Sequence, residues 1–210
     1  MVVSLRVQMH EVLRALRQFH LHYPSVGLRI REMDSAAVAP LLLSQDADLG
    51  VMLKPGPRDQ SSSMIAYESI GEMDFLLVAP PGHPLIAKRS LKISDIVQYP
   101  LVLGRPEAFS RRRFEEVLHS HQLEACRRVA LETSSGSLTL AAVREGLGVG
   151  IVACMPQSVL TTGLGVRSLR RWFGTAQMVF ARRRGAPLPP VQQELAETIR
   201  HSLAKGGTAD

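Results

Sequence analysis

Cysteine is almost absent from this 210-residue chain. Its two copies, Cys126 and Cys154, stand far apart with no C-x-x-C spacing, so a disulfide framework and a zinc site both lack a basis. Cys154 follows an apolar run and reads as a small core side chain. No uncharged stretch approaches membrane-spanning length. Residues 1–11 are interrupted by Arg6, His10 and Glu11 and lack the apolar core and cleavage site of a signal peptide. The expectation is a soluble, cytoplasmic chain.

Catalytic signatures are missing as well. There is no P-loop and no G-x-G-x-x-G opening a helix after a strand. Gly146-x-Gly148-x-Gly150 precedes a strand, the wrong order for a nucleotide fingerprint. G-x-S-x-G is absent, and Ser137 has no evident His/Asp partner, so a hydrolase triad has no support. His10, His20 and His22 form no metal triad with carboxylates, and His83 sits in a Gly-His-Pro turn with a structural look. The chain is therefore not expected to be an enzyme or to carry a metal or cofactor. The net charge of +6 and pI near 9.9 raise nucleic acid as a partner, but no basic helix with interleaved aromatics appears. The short arginine clusters (Arg111–Arg113, Arg127–Arg128, Arg170–Arg171, Arg182–Arg184) read as solvated or anion-facing.

What is present is a globular composition, 45% hydrophobic and 21% charged, long enough for one large domain or two small lobes. The most informative stretch is residues 131–152. Its polar loop Thr133–Ser137 offers hydroxyls and backbone N–H groups at a helix N-terminus, suited to an anionic or polar ligand. Leu138, Ala141 and Ala142 lie at the spacing of one helix face, Gly146 stops the helix, and Val149–Val152 is an apolar β-branched strand.

Elsewhere, spacing predicts a helix near 7–22 with Val12, Leu13, Leu16 and Phe19 on one face. Strands are expected at Val26–Arg31, Ala47–Leu53, Phe75–Ala79, Pro100–Leu103, Arg128–Leu131, Gly165–Leu169 and Gln177–Ala181. Asp34–Ser35 caps a helix through Leu43, Ser94–Val97 starts a short one, Arg111–His121 is a charged one, and Pro156 starts another. Residues 54–63 form a Pro/Gly/Ser-rich loop. A last amphipathic helix runs over Pro189–Leu203 with Val191, Leu195, Ile199 and Leu203 at one-turn spacing. Repeated β-α-β units of this kind predict an α/β fold with a mostly parallel sheet and ligands at the carboxyl ends of strands.

Five motifs in order then resemble the effector-binding domain of LysR-type transcriptional regulators. They are Phe19–Val26 (F…YP-x-V), Asp48–Val51, Leu77–Leu85 (V-x-P-x-x-HPL), Asp95 through Tyr99–Val102, and Glu132–Thr133 through Val143–Gly150 (ET…GLG). They span nearly the whole chain. The resemblance implies two Rossmann-like lobes with a ligand cleft between them, similar to type 2 periplasmic binding proteins. Lobe I is expected over 1–75 and 183–206, lobe II over 76–182, and a disordered tail over 207–210.

The family's helix-turn-helix and linker helix have no counterpart here, Val2–Leu5 stands where its first strand ends, and Asp46 stands where glycine is common. An excised domain, a truncated reading frame and a free-standing descendant all fit. DNA would be reached only through the missing helix-turn-helix, and no membrane partner is expected.

By position in the family, effector contacts fall on Ser4, Asp34, Ser35, Gly104, Arg105, Pro106, Thr133, Ser134 and Ser135. Asp34 and Ser35 read equally as helix caps. Arg105 reads either as a bidentate partner for carboxylate or phosphate or as a solvated surface arginine. A dimer interface, in a homodimer or tetramer, is implied for Val12, Leu16, Phe19, Leu28, Ile30, Leu138 and Ala142; plain core packing is the competing reading. The function implied is sensing of a small, anionic metabolite by a regulator whose dimer controls DNA binding. A free-standing binding protein and an enzyme on the same fold are the alternatives.

Overall fold

The computed structural model describes residues 1–4, 9–33, 35–56, 63–155 and 158–205, with side chains described except at 3, 4, 9–11, 159 and 205. The chain forms two compact units. Unit 1 comprises Met1–Met73 and Ala176–Asp210, and unit 2 comprises Asp74–Thr175. The lobe boundaries expected from the sequence lie at 75/76 and 182/183; residues Met178–Ala181 pair with Gly50–Leu53 and so belong to unit 1.

In unit 1, β1 (Val2–Ser4) is flanked by β2 (Arg31–Met33) and β3 (Gly50–Leu53), both parallel to it. α1 (Met9–His22) links β1 to β2, and α2 (Ser35–Leu43) links β2 to β3. α1 forms because Val12, Ala15, Leu16 and Phe19 recur at i, i+3, i+4 and i+7, and all four are buried. That stripe packs against α8 (Pro190–Lys205), which buries Leu195, Ala196, Ile199 and Leu203. Leu13 and Val191, expected on these faces, are exposed instead, because each falls just outside its stripe. Val2, Val38, Leu42, Met52, Ile65 and Val179 meet in the core between sheet and α2.

The strand expected at Val26–Arg31 is displaced: only Arg31–Met33 is paired, because it is these residues that align with Val2–Ser4. The residues from 57 to 62 of the predicted loop, and Asp34, Pro156 and the 207–210 tail, lie outside the described residues.

Unit 2 repeats the plan. β5 (Pro100–Gly104) is flanked by parallel β6 (Arg128–Thr133) and β7 (Val149–Cys154). α5 (Phe109–Ser120) and α6 (Gly136–Arg144) are the two crossovers. The sheet is mixed rather than mostly parallel, since antiparallel pairings are added. β3 pairs with β9 (Thr175–Arg183), and the end of β4 (Ile65–Ala79) pairs with β7 and with β8 (Gly165–Ser168).

β4 is far longer than the expected Phe75–Ala79. Its first ten residues interleave Tyr67-Glu68-Ser69 and Gly71-Glu72 with apolar positions, so they show no continuous apolar run, yet Ile65, Ile70 and Met73 are buried. Short helices α3 (Pro84–Ala87), α4 (Ile93–Ile96) and α7 (Arg170–Phe173) complete unit 2. Its aromatic core stacks Phe75, Phe109, Phe114 and Phe173 with centroids 5.4–6.3 Å apart.

Candidate functional site

In unit 2, two of the loops marked by the sequence meet at the carboxyl ends of β5 and β6. The strands are parallel and put Gly104 opposite Thr133. The Arg105 N–H donates to the Thr133 carbonyl at 3.1 Å, which ties the loops at their first residues. A side chain at Gly104 would press on Ala108, whose Cβ would lie 2.8 Å from the added carbon. The Ala108 N–H closes the turn through Pro106 onto the Arg105 carbonyl at 2.8 Å. Arg105 and Pro106 are exposed on that turn.

Ser134 is exposed between Thr133 and the helix cap. Ser135 holds an extended backbone (φ −148°, ψ 158°), and its Oγ accepts the Leu138 N–H at 3.3 Å, the N-cap arrangement. The N–H groups of Gly136 and Ser137, in the first helical turn, have no intrahelical partner by geometry, and the helix dipole makes that end positive. The other end is closed by a Schellman motif. Gly146 (φ +75°) donates to the Val143 carbonyl, and Leu147 to that of Ala142. The arrangement is suited to holding an oxyanion or carboxylate, with Ser134 and the helix-end N–H groups as donors and Arg105 as a neighbouring cation.

Thr133 departs from its expected place. It is 2% exposed, and its hydroxyl lies 2.6 Å from the Thr139 hydroxyl and 3.3 Å from the Leu103 carbonyl. Its side chain is committed inside the unit. Thr139 had no place in the sequence reading, which put Leu138, Ala141 and Ala142 on the buried face; the buried residues are Thr139, Leu140, Ala142 and Val143. The available signal was the i, i+3, i+4 spacing of Thr139, Ala142 and Val143, with the hydroxyl masking Thr139 as polar.

Of the unit 1 candidates, Ser4 closes β1 and pairs with Met33, and Ser35 opens α2, half-buried. The Ser4 side chain and all of Asp34 lie outside the described residues.

The side chains marked for a dimer interface divide. Val12, Leu16, Phe19 and Ala142 are buried within their own units, because a stripe already closed on α8 or on the sheet has no surface left to present. Leu28 and Leu138 are exposed and Ile30 is half-buried. On α1, Leu13 and Leu21 are exposed as well.

Arg111, read as solvated or anion-facing, is only 8% exposed; its Nε meets Glu115 at 2.5 Å, and Glu115 also pairs with Arg127 at 3.1 Å. His83 caps α3, its Nδ1 accepting from the Leu85 N–H at 3.3 Å, and its ring lies edge-on to Tyr99. Burial lowers its pKa. Among the described residues no group of three or more His, Cys, Asp or Glu is placed to hold a metal, and no helix is long and apolar enough to cross a membrane.

Two α/β units, each built on parallel strands joined by helical crossovers, define a two-unit α/β domain. The model of the LysR substrate binding domain matches residues 6–204, and the chain belongs to that family. It is 26% identical over 193 residues to the HTH-type transcriptional regulator SsuR of Burkholderia cenocepacia, covering 90% of this chain and 60% of SsuR. The chain spans about half the length of the curated relatives it matches.

Among solved structures, the regulatory domain of Synechocystis PCC6803 CcmR in complex with 2-PG superposes with a TM-score of 0.78 at 16% identity, covering 95% of this chain and 94% of that one. The effector binding domain of QuiR in complex with shikimate gives a TM-score of 0.74 at 12% identity, covering 97% and 95%. The fold is that of LysR effector-binding domains.

Proposed function

We propose that this chain is the effector-sensing part of a transcriptional regulator and that it binds a small oxyanion or carboxylate metabolite at the amino end of α6. The observation that carries the reading is the tie between the two loops. Arg105 N–H is bonded to the Thr133 carbonyl, so exposed Arg105 and Ser134 sit beside one another and beside the first turn of α6. That provides a cation, a hydroxyl and unpaired N–H groups for one ligand. Family membership and the small molecules held by the CcmR and QuiR domains support a small-molecule effector.

Titration calorimetry with sulfate and with benzoate tests the site. Saturable binding of at least one by the wild-type chain is expected, weakened about tenfold by Ser134→Ala and by Arg105→Ala, as loss of a hydrogen bond to a charged ligand would do. Unchanged affinity in both variants would sink the assignment.

The chain works as a homodimer in this reading, with Leu28 of one copy set against Leu138 of the other and effector occupancy altering that packing. The exposure of both leucines supports it. Sedimentation at high micromolar concentration should show a dimer that Leu138→Asp dissociates. A wild-type chain that stays monomeric there would overturn the dimer.

A further inference from the structure

We infer that Thr139 is a positioning residue for the effector loop, acting through a buried hydroxyl relay with Thr133. The inference rests on the site reading just given. Three acceptor contacts surround two hydroxyl protons. Thr133 Oγ1 is 3.3 Å from the Leu103 carbonyl, the two threonine oxygens are 2.6 Å apart, and Thr139 Oγ1 is 3.1 Å from the Ser135 carbonyl.

Two proton arrangements use both donors and keep a proton in the 2.6 Å central contact. In one, Thr139 donates to Thr133 and Thr133 to the Leu103 carbonyl. In the other, Thr133 donates to Thr139 and Thr139 to the Ser135 carbonyl. The short central bond persists in both. Both residues are 2% exposed, so water does not substitute for either hydroxyl.

In either arrangement the central bond fastens the end of β6 to the first turns of α6, and one end bond adds either the end of β5 or the cap residue of α6. Ser134 is the one residue between those anchors, and the Arg105 N–H joins the same strand end. Room for the relay is kept by Gly150, where an added Cβ would lie 2.9 Å from Thr139 Cγ2. A valine at 139 keeps the volume and removes the hydroxyl; a serine keeps the hydroxyl.

Two measurements on the whole chain test this. In amide hydrogen exchange without ligand, Thr139→Val should speed exchange of the bonded Arg105 and Leu138 N–H groups about tenfold, the cost of one buried hydrogen bond, and Thr139→Ser should restore slow exchange. Wild-type rates at both amides in Thr139→Val would overturn the proposal. In sulfate titrations, Thr139→Val should weaken binding several-fold although Ser134 and Arg105 are intact, with Thr139→Ser near wild type. Wild-type affinity in Thr139→Val would equally overturn it. Benzoate takes the place of sulfate in this titration if only benzoate binds; if the wild-type chain binds neither, the site reading fails instead, and the exchange measurement still decides whether the relay holds the loop. A Thr133→Val/Thr139→Val double variant should lose little more than either single one, because the two hydroxyls share one bond.

Discussion

Replacing Gly148 by alanine is expected to cost this protein far more than the same change two residues earlier. Gly148 lies just before β7 at φ +152°, a region that side-chain-bearing residues avoid. A Cβ there would sit 2.3 Å from the Pro100 carbonyl oxygen and 2.9 Å from its carbon. Both obstacles are backbone, so no rotamer change relieves them. Pro100 begins β5, and the adjacent pairing of Leu101 with Val149 would have to open.

The backbone strain alone is of order 1–3 kcal/mol, and forcing the strands apart adds about 1–3 kcal/mol more. A total near 4 kcal/mol corresponds to roughly 8–16 °C in melting temperature for a chain of this size. Gly146 is also at positive φ, +75°, but nothing lies within 4 Å of its missing Cβ. Gly146→Ala should therefore cost only the left-handed penalty, about 1–2 kcal/mol.

The single tryptophan, Trp172, lies in α7 of unit 2, so its fluorescence during urea unfolding reports on the unit that holds both glycines. Losses for the two variants within about 0.5 kcal/mol of each other would refute the steric argument, since that is the spread of ordinary surface changes.

Phe114 is fully buried and stacks on Phe173 at 6.3 Å, so Phe114→Ala should cost about 3–5 kcal/mol in the same urea experiment; a loss under about 1 kcal/mol would contradict the packing described. Ser135→Ala should cost about 1 kcal/mol through the lost cap, and Ser135→Asp should recover most of it; equal losses would show that the cap does not matter. Burial holds the His83 pKa below its ordinary value, so the unfolded chain takes up the proton first. The stability His83 contributes as a neutral cap is complete above about pH 6.5 and falls as the pH drops through the folded pKa. Melting curves at pH 7.5 and 5 should show a larger acid loss for wild type than for His83→Asn, which retains a cap acceptor; parallel losses would remove His83 from the account.

The elements whose signals are local were legible. α6 was marked at both ends, by the hydroxyl-bearing loop Thr133–Ser137 at its start and by Gly146 as C′ residue, because each signal depends only on groups within a few residues. The apolar runs of β3, β5 and β7 were likewise visible, being covered on both faces. The ordered motifs reached further than any single pattern and named the family that the match over residues 6–204 establishes.

Other features depended on partners distant in sequence. The polar-looking start of β4 becomes a strand because Ile65, with Tyr67 beside it, finds a core containing Val2, Val38 and Val179. β2 begins at Arg31 because its register is set by β1, nearly thirty residues away. Which way a helix turns is equally non-local: Leu138 and Ala142 share a helix, but only Ala142 meets the core of Leu76, Val102 and Val152.

The site divides the same way. Its loop chemistry, hydroxyls at a helix start and an arginine after a strand, was written in the sequence. That Thr133 turns inward while Ser134 stays outside follows from the Thr139 hydroxyl 2.6 Å away, a contact made only when β6 and α6 pack together. Sequence alone set where the chain turns and what chemistry the turns carry, since those are short-range properties of backbone and side chain. Tertiary packing decided which of those groups remain available to a ligand, since burial is a property of the neighbours.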